Sequence, residues 1–531
     1  MPRPTSPDLA VDRRALTLGL GGALIARTAW AQAGAASPVV RTRGGLVRGV
    51  VQDGVSVFKG IPYGVDTGST RFQPPRAAPP WQSVRDAMAY GPASPQSHPD
   101  GPASEDCLVL NVWTPEAATL ARRPVMVYIH GGAYASGSGA SPLYDGVRLA
   151  RRRGVVVVTL NHRLNVFGYG YLAGLAGAPF ADAGNAGMLD LVLALRWVRA
   201  NIAAFGGDPG RVTVFGQSGG GAKIATLMAM PAAAGLFHRA ITMSGQQVTA
   251  SGPQHATARM RLFLDAVKLP VADAASLASL PAERLVEALA TPDPFTPGPL
   301  YFGPVLDERS LTRHPFWPDA PDQSAKIPMI IGNAHDETRL FLGHSTPDPF
   351  ALTWDDLPGR LGPELRVDID PAFVVASYRQ LYPAYSPTDV FFAATTASRS
   401  WRGAVIEAEA RALQGAPAFV YEMDYSSTIE GGRLRAMHET DIPLTFDNLA
   451  APGSPIAPSP AAQAMADQVS GSFAAFAHTG DPNNPAIPLW TPYTLPRRAT
   501  LVFDRTSRLV DDPRGAERRL FAAVPYIQPG T

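Results

Sequence analysis

Residues 216–220 read Gly-Gln-Ser-Gly-Gly and directly follow the run 211–215 (Arg-Val-Thr-Val-Phe). A stretch typical of a helix, 222–230, comes next. A serine flanked by glycines between a strand and a helix is typical of a nucleophile elbow, a turn too tight for bulky neighbours. The turn presents the serine hydroxyl at the top of a sheet. Ser218 is therefore predicted to be a nucleophile at the end of a buried strand.

The rest of the chain alternates strand and helix signals. Two continuous apolar runs, 124–129 and 154–160, suit strands that are buried on both faces of a parallel sheet. Apolar residues recur at helical spacing over 188–205. Shorter apolar runs predict further strands at 239–243, 328–331, 418–421 and 500–503. This alternation predicts the α/β class, with a mostly parallel central sheet and helices on both faces.

Two other segments carry local signals. Asp53 and Gly54 separate the apolar stretches 46–51 and 55–58, and an Asp-Gly pair in that position predicts a β-hairpin. The long stretch 253–299 lies between two predicted strands. We expect it to form a helical insertion over the active site.

Composition limits the class of protein. The chain has 531 residues, of which 46% are hydrophobic, and a formal net charge of +1. The balanced charge, with one short basic block at 151–153, argues against nucleic acid as the main partner. No apolar run reaches membrane-spanning length. The composition predicts a soluble globular protein with no stable membrane span, and it leaves the oligomeric state open.

The N-terminal residues are typical of an export signal. Arg13 and Arg14 precede an apolar, glycine-rich stretch at 15–26, and an Ala-x-Ala site at 29–31 follows. This order predicts a twin-arginine signal peptide over 1–31, with a disordered basic tail as the alternative. A single domain then occupies 32–531, in a bacterial protein that is periplasmic or secreted.

A serine nucleophile needs a histidine base, and two histidines are candidates. His438 lies late in the chain, among the polar and turn-forming residues 436–443. His478 follows a helical pattern and is typical of a structural residue. The pattern favours His438 and leaves His478 as the alternative.

The base in turn needs an acid, and the intermediate needs hydrogen-bond donors. Asp336 and Glu337 come shortly after the predicted strand 328–331, and the order serine, acid, histidine is the one this kind of sheet uses. Either carboxylate could serve. The glycine-containing segment 130–133 follows another strand, so its N–H groups could face the N–H of Gly219 across an oxyanion.

Taken together, these motifs resemble the type-B carboxylesterase family, which includes cholinesterases and bacterial p-nitrobenzyl esterases. The matching segments span nearly the whole chain after residue 31: 60–63, 104–108, 110–112, 130–134, 205–209, 216–220 and 490–492. The resemblance implies an α/β-hydrolase fold with helical insertions over the active site. It also implies that Ser218 is the nucleophile, Glu337 the acid and His438 the base.

The resemblance assigns supporting roles as well. It implies that Gly132, Ala133 and Gly219 donate the oxyanion hydrogen bonds. Ser244 matches a family serine that hydrogen-bonds the acid, and Gln217 takes the place of a family glutamate beside the nucleophile. Both side chains are expected to contact and position the triad residues without taking part in the reaction.

The chain departs from the family pattern at four positions. Gln217 replaces the usual glutamate, and Gly219 replaces the usual alanine while still offering an N–H group. Cys107 is the one cysteine of the chain. The family has its partner cysteine at the position that is Ser94 here, so we expect no disulfide. Thr338 stands where a glycine often follows the acid. None of these changes removes a catalytic group.

The prediction from sequence is an exported serine hydrolase acting on small carboxylic esters. No metal and no cofactor are expected, and neutral esters are expected to be favoured because Gln217 carries no charge. A non-catalytic binding protein of cholinesterase-like fold is the alternative from another class. Amidase or lactonase activity on the same triad is the alternative among enzymes.

Overall fold

A computed structural model of the protein describes residues 37–99, 101–528 and 530. The predicted signal peptide over 1–31 and the boundary that follows it lie outside the described residues. The strands are β1 Val39–Arg41, β2 Leu46–Arg48, β3 Val50–Gln52, β4 Val55–Pro62, β5 Arg85–Asp86, β6 Val109–Thr114, β7 Arg123–Ile129, β8 Val156–Leu160, β9 Gly207–Gln217, β10 Arg239–Met243, β11 Met329–Ala334, β12 Ala418–Met423, β13 Ala499–Phe503 and β14 Arg508–Asp511.

The α-helices in the same residues lie between and after these strands. They are α1 Val147–Arg153, α2 Asn165–Tyr169, α3 Ala186–Asn201, α4 Gly219–Ala229, α5 Pro253–Ala266, α6 Ala282–Ala288, α7 Thr338–Leu342, α8 Leu357–Leu365, α9 Pro371–Leu381, α10 Pro387–Thr396, α11 Arg402–Leu413, α12 Asp441–Thr445, α13 Pro460–Thr479 and α14 Gly515–Ala522. One π-helical turn, Ala397–Trp401, joins α10 to α11.

The central sheet has eleven strands in the order β14-β13-β12-β11-β10-β9-β7-β8-β6-β4-β3. The block from β8 to β13 is parallel, and the strands outside it are antiparallel. Along β7, Val125 and Val127 join one hydrophobic cluster while Met126 and Tyr128 join the other. The apolar run is therefore buried on both faces, and the predicted mostly parallel α/β sheet is confirmed.

Several predicted strands have different bounds in the structure, and at two of them a glycine explains the difference. The predicted strand 46–51 is divided at Gly49, where a Cβ would lie 2.3 Å from the Val57 oxygen. β2 therefore pairs with β1 in a small second sheet, and only β3 forms the predicted hairpin with β4. β8 starts two residues later than predicted, because Gly154 adopts a left-handed conformation (φ 66°) that caps α1.

Long insertions between the later strands are helical, as predicted. The segment 253–299 contains α5 and α6. A longer insertion between β11 and β12 contains α7 to α11 and holds a hydrophobic cluster of its own around Phe391. Within the described residues, none of the helices combines the length and the apolarity that crossing a bilayer requires.

Candidate active site

Ser218 occupies a strained turn between β9 and α4. Its φ of 56° and ψ of −128° lie in a region that residues with a Cβ rarely adopt. The turn needs glycine nearby, since a Cβ on Gly220 would lie 1.9 Å from the Ile129 oxygen at the end of β7. The strand–turn–helix geometry expected for the elbow is therefore present, and β9 ends directly before the serine.

Ser218 opens into a cavity of about 430 Å³ at the carboxyl ends of the parallel strands. We call the residues that follow strand ends the cavity floor: Gly132, Ala133, Ser218, Gly219, Ser244 and His438. We call the residues from the insertions and the C-terminal segment the cavity wall: Tyr301, Phe341, Arg366, Arg399, Ser400 and Tyr526.

His438, on the floor, pairs with Glu337, which is buried behind it. The imidazole Nδ1 contacts Glu337 Oε2, and both side chains are almost fully buried. Glu337 Oε1 accepts hydrogen bonds from the Ala334 N–H (2.8 Å) and from Asn333 Nδ2 (3.1 Å). Burial lowers the pKa of His438, but the charge and hydrogen bond of Glu337 outweigh it and raise that pKa above its usual range.

The two alternatives from the sequence lie elsewhere. Asp336 pairs with Arg339 at 2.9 Å on the other side of the turn. His478 is exposed at the end of α13, and its Nε2 lies 3.1 Å from the Arg153 oxygen. The structure thus brings together Glu337 and His438, and it brings neither Asp336 nor His478 to the cavity.

The free edge of the imidazole faces the same cavity as the serine. His438 Nε2 is buried and has no hydrogen-bond partner among the described residues. Ser218 and His438 line the cavity together, although no hydrogen bond joins them. Such bonds are often long in substrate-free enzymes and tighten when substrate is bound. The Phe341 ring packs against the imidazole at 4.7 Å and restricts its rotation.

The segment after β7 and the start of α4 meet at the predicted oxyanion site. Gly132, Ala133 and Gly219 all line the cavity, and Ala133 has a left-handed backbone conformation (φ 51°). A Cβ on Gly219 would lie 2.1 Å from the Ala133 oxygen. This close approach explains the glycine at 219. The N–H groups of a first helical turn have no intrahelical acceptors, so that of Gly219 is available to an anion.

Lys223 is a buried residue of this site that the sequence analysis missed. Its Nζ donates to the Ala133 oxygen at 2.6 Å and to the His130 oxygen at 3.2 Å. These two carbonyls bracket the Gly131–Gly132 segment, so the amine fixes both ends of the oxyanion turn. Burial lowers the pKa of Lys223 to about 7. A single charged residue, the lysine, within the otherwise uncharged stretch 222–230 was the signal that could have revealed it.

The two supporting residues differ from expectation in detail. Ser244 does not bond Glu337 directly; its Oγ accepts from the Ala334 N–H at 3.2 Å, the same N–H group that Glu337 Oε1 accepts. The Glu337 carboxylate is therefore the closer acceptor of the Ala334 N–H group, and the Ser244 hydroxyl is the more distant one. Gln217 is buried beneath the elbow and does not line the cavity.

A polar connection links Glu337 to the wall. Asn333 Nδ2, which donates to Glu337, also donates to Ser400 Oγ at 2.9 Å. Ser400 lies in the π-helical turn, a feature that often occurs at functional sites. Asn333 therefore connects the π-helical turn of the wall to Glu337 through two hydrogen bonds.

The remaining departures from the family pattern have local explanations. Thr338 Oγ1 lies 3.1 Å from the Phe392 oxygen, so its side chain attaches α7 to α10. Cys107 is buried and unpaired, and its thiol contacts Ser94. Burial raises the pKa of Cys107 to about 12, so this thiol is not a nucleophile at neutral pH.

One group of side chains outside the cavity has the composition of a metal site. His335, Glu422 and Asp424 offer ligand atoms within 4.8 Å of one another. Arg514 lies 3.4 Å from Glu422, and Arg508 lies 3.5 Å from Asp424. Because guanidinium groups already balance both carboxylates, we assign this group as an ion-pair network.

Comparison with known proteins agrees with this geometry. The sequence profile of the carboxylesterase family matches residues 36–520. The chain is 36% identical to the para-nitrobenzyl esterase of Bacillus subtilis (strain 168), over 91% of this chain and 98% of that enzyme. It is 34% identical to the phenmedipham hydrolase of Pseudarthrobacter oxydans, over 88% of this chain and 94% of that enzyme.

The solved structures give the same result. A carboxylesterase of Geobacillus stearothermophilus, solved at pH 6.2, matches with a TM-score of 0.82 and 38% identity. The match covers 91% of this chain and 99% of that one, so the α/β-hydrolase fold is shared over most of the chain. Sequence and structure therefore agree that the chain belongs to the carboxylesterase family, a family of carboxylic ester hydrolases.

Proposed function

We propose that the protein cleaves carboxylic esters through a Ser218–His438–Glu337 triad and an acyl-enzyme intermediate. The observation that carries the proposal is the buried Glu337–His438 pair, whose free Nε2 faces the cavity that Ser218 also lines. A serine hydroxyl is a weak nucleophile until a base is held beside it in the correct tautomer. Glu337 holds His438 in that tautomer by accepting from Nδ1.

In the acylation step, Ser218 Oγ attacks the ester carbonyl while His438 Nε2 accepts the hydroxyl proton. The N–H groups of Gly132, Ala133 and Gly219 bind the resulting oxyanion, and such donors contribute on the order of 3 kcal/mol each to the transition state. The protonated imidazole then gives its proton to the departing alcohol. Water, activated by the same imidazole, releases the acid and restores Ser218.

The charge of the substrate is the second part of the proposal. Gln217 stands where many relatives carry a glutamate, so the charge that would favour a cationic ester is absent. We therefore expect neutral esters to be hydrolysed in preference to cationic esters of matched size. Lactones and amides can react on the same groups, and the carboxylic esters named for the relatives make esters the first substrates to test.

Labelling with a fluorophosphonate tests the triad and separates an esterase from a binding protein. Native protein is expected to react at Ser218, to show a burst of 4-nitrophenol from 4-nitrophenyl butyrate, and to lose activity as labelling proceeds. The Ser218→Ala variant is the matched control. Labelling of native protein at another serine, or turnover that survives complete labelling, would contradict the assignment.

We also propose export by the twin-arginine route, supported by Arg13–Arg14 and the Ala-x-Ala site at 29–31. The exported form is expected to begin near Gln32, and replacing both arginines by lysine should retain the protein in the cytoplasm. N-terminal sequencing of the exported form is the measurement. An exported protein that still begins before Ala29 would contradict cleavage at this site.

A further inference from the structure

Two arginines line the cavity wall and come from different parts of the longest insertion. Arg366 follows the last residue of α8, and Arg399 lies in the π-helical turn. Both belong to the same cavity as Ser218 and His438. The neutral substrates expected from the sequence give no reason for two guanidinium groups at this place.

The charge around the two arginines is not balanced. Arg399 pairs with Glu364 at 3.2 Å, but the same carboxylate also serves Arg360 at 3.6 Å. The guanidinium of Arg366 has no hydrogen-bond or ion-pair partner in the part of the chain that the structure describes, and its Nε is buried. Two guanidinium groups thus share one carboxylate, and the guanidinium of Arg366, which lines the same cavity, has no carboxylate beside it.

Arg399 is half-buried and lies on the same side of the cavity as Phe341 and His438. Its guanidinium carbon lies 6.0 Å from the centre of the Phe341 ring, which itself lies 4.7 Å from the His438 ring. Burial, together with the nearby charge of Arg366, lowers the pKa of Arg399 to about 10 against the opposing charge of Glu364. Arg399 therefore stays protonated at neutral pH. Ser400, held by Asn333, fixes the turn that carries it.

One carboxylate also lines the cavity. Glu439 directly follows His438, and its charge helps to raise the pKa of that imidazole. Glu439 is thus part of the environment of the base, whereas Arg366 and Arg399 are not in contact with the triad. The cavity carries positive charge on its wall and negative charge beside its base. A substrate with an anionic group would place that group toward the wall.

We propose that Arg366 and Arg399 form an anion subsite, and that the preferred substrates are carboxylic esters that carry a carboxylate some distance from the scissile bond. A planar guanidinium can bind a carboxylate with two parallel hydrogen bonds, which gives both affinity and orientation. This inference rests on the proposed esterase function and refines it. We expect kcat/KM to be highest for anionic esters, lower for neutral esters and lowest for cationic esters.

The carboxylate can belong to either half of the ester. A second cavity, of about 400 Å³, shares Arg366 and Gln528 with the first, so Arg366 lies at the border of both. An acyl chain ending in a carboxylate and an alcohol bearing one are therefore both compatible with the subsite. Their common chemistry is a carboxylate on a flexible or aromatic spacer.

Two pairs of esters test the inference and separate the two halves. In the first pair, 4-nitrophenyl hydrogen adipate is compared with 4-nitrophenyl hexanoate. In the second pair, 4-acetoxybenzoate is compared with its methyl ester. The measurement is the ratio of kcat/KM, anionic over neutral, in native protein and in Arg366→Gln and Arg399→Gln. Comparing variants by this ratio cancels the intrinsic reactivity of each ester.

At least one of the two pairs should favour the anionic ester in native protein. That ratio should fall at least tenfold in each arginine variant, while Arg366→Lys, which keeps the charge, should recover part of it. Arg379→Gln is the matched control, since Arg379 is exposed and stacks on Trp354 outside the cavity. It should leave the ratio within twofold. If Arg399→Gln does not fold, Arg366→Gln carries the test, because no partner in the described residues depends on it.

A binding measurement keeps this inference separate from the proposed reaction. Adipate should bind to Ser218→Ala in calorimetry, and adding Arg366→Gln should weaken its binding at least tenfold. If no ester is hydrolysed but adipate binding still depends on the arginines, the esterase proposal fails and the anion subsite stands. If esters are hydrolysed but neither Arg366→Gln nor Arg399→Gln changes the anionic-over-neutral ratio by as much as twofold, the subsite is wrong. The esterase proposal then stands. A native preference for a matched trimethylammonium ester would also overturn the subsite.

Discussion

The floor and the wall of the cavity are built in different ways. The floor consists of backbone turns at the ends of parallel strands, and Ala133, Ser218 and Ser244 each take a positive φ there. The wall consists of long side chains, such as those of Arg366 and Arg399, carried by helices of the insertions. Turns that are fixed by a buried sheet hold reacting atoms to within tenths of an ångström, whereas side chains on insertions vary without disturbing the sheet.

This difference separates two kinds of effect. A change in the floor should slow the hydrolysis of every ester, because it alters groups that meet the reacting atoms. A change in the wall should alter the ratio between esters and leave the chemical step nearly intact. The predictions below concern the floor and the buried residues that hold it, from the largest expected effect to the smallest, and the last one tests whether the separation holds.

The largest loss is expected from the nucleophile and the base. Ser218→Ala should reduce kcat on any ester by about 10⁶, and His438→Ala should do nearly the same, since a triad fails as a unit. His478→Ala, on the surface, is the matched control and should retain near-native activity. The measurement is kcat on 4-nitrophenyl butyrate. Substantial turnover by His438→Ala would assign the base elsewhere.

The second loss concerns the acid. Glu337→Gln should reduce kcat by roughly 10³–10⁴ in a folded protein, because it favours the wrong imidazole tautomer. Asp336→Asn, at the neighbouring residue, is the control and should lose far less. If Asp336→Asn were the more damaging change, Asp336 would be the acid.

The same substitution should move the pH profile in a defined direction. His438 acts as a base only when it is neutral, so activity falls as the pH drops below its pKa. Glu337 raises that pKa, and removing its charge should lower it. The acidic limb of the kcat/KM profile of Glu337→Gln should therefore move to lower pH. A limb that stays in place would show that another group titrates there.

A smaller loss is expected from Lys223, whose Nζ hydrogen-bonds the turn that carries the proposed oxyanion donors and lies over the Tyr134 ring. Lys223→Met removes the hydrogen bonds to the Ala133 and His130 oxygens. Buried hydrogen bonds from charged donors are worth about 1.5–3 kcal/mol, which corresponds to a loss of roughly 10- to 100-fold in kcat. KM should change little, because the substrate does not meet the amine.

Two further measurements separate positioning from stability in this variant. A trifluoromethyl ketone, which forms an oxyanion adduct with the serine, should lose affinity in parallel with kcat. The melting temperature should hold or rise, because a buried amine without a carboxylate partner is costly to the fold. A variant that loses stability but keeps its affinity for the ketone would assign Lys223 a purely structural role.

The sequence predicted the floor far better than the wall. The elbow, the His438 segment and the strand ends are local patterns, and in a parallel sheet the ends of neighbouring strands meet at one edge. Arg366 and Arg399 could not be assigned in this way, since helix packing within the insertion decides which of its arginines reach the cavity. The hydrogen bond expected between Ser244 and Glu337 is replaced by a shared donor, the Ala334 N–H, and that arrangement depends on distances that no motif encodes.

The smallest effect tests the separation itself, because Gln217 lies beneath the floor and should act on the substrate through charge. Gln217→Glu would add a negative charge beneath Ser218. At about 4–5 Å and an effective dielectric of 20, that charge is worth at most roughly 3–4 kcal/mol to a substrate cation, and solvent reduces it. The ratio of cationic to neutral kcat/KM should rise about tenfold, or roughly 1.4 kcal/mol.

The magnitude depends on the protonation of the new carboxyl. Gln217 is buried, and burial raises the pKa of a carboxyl, so the effect should grow as the pH rises. The control is Gln52→Glu, the same change on the exposed strand β3. If the ratio of cationic to neutral kcat/KM in Gln217→Glu stays constant up to pH 9, a charge beneath the floor does not affect substrate binding. Substrate charge would then be recognised by the wall alone, and Arg366 and Arg399 would be the residues to alter first.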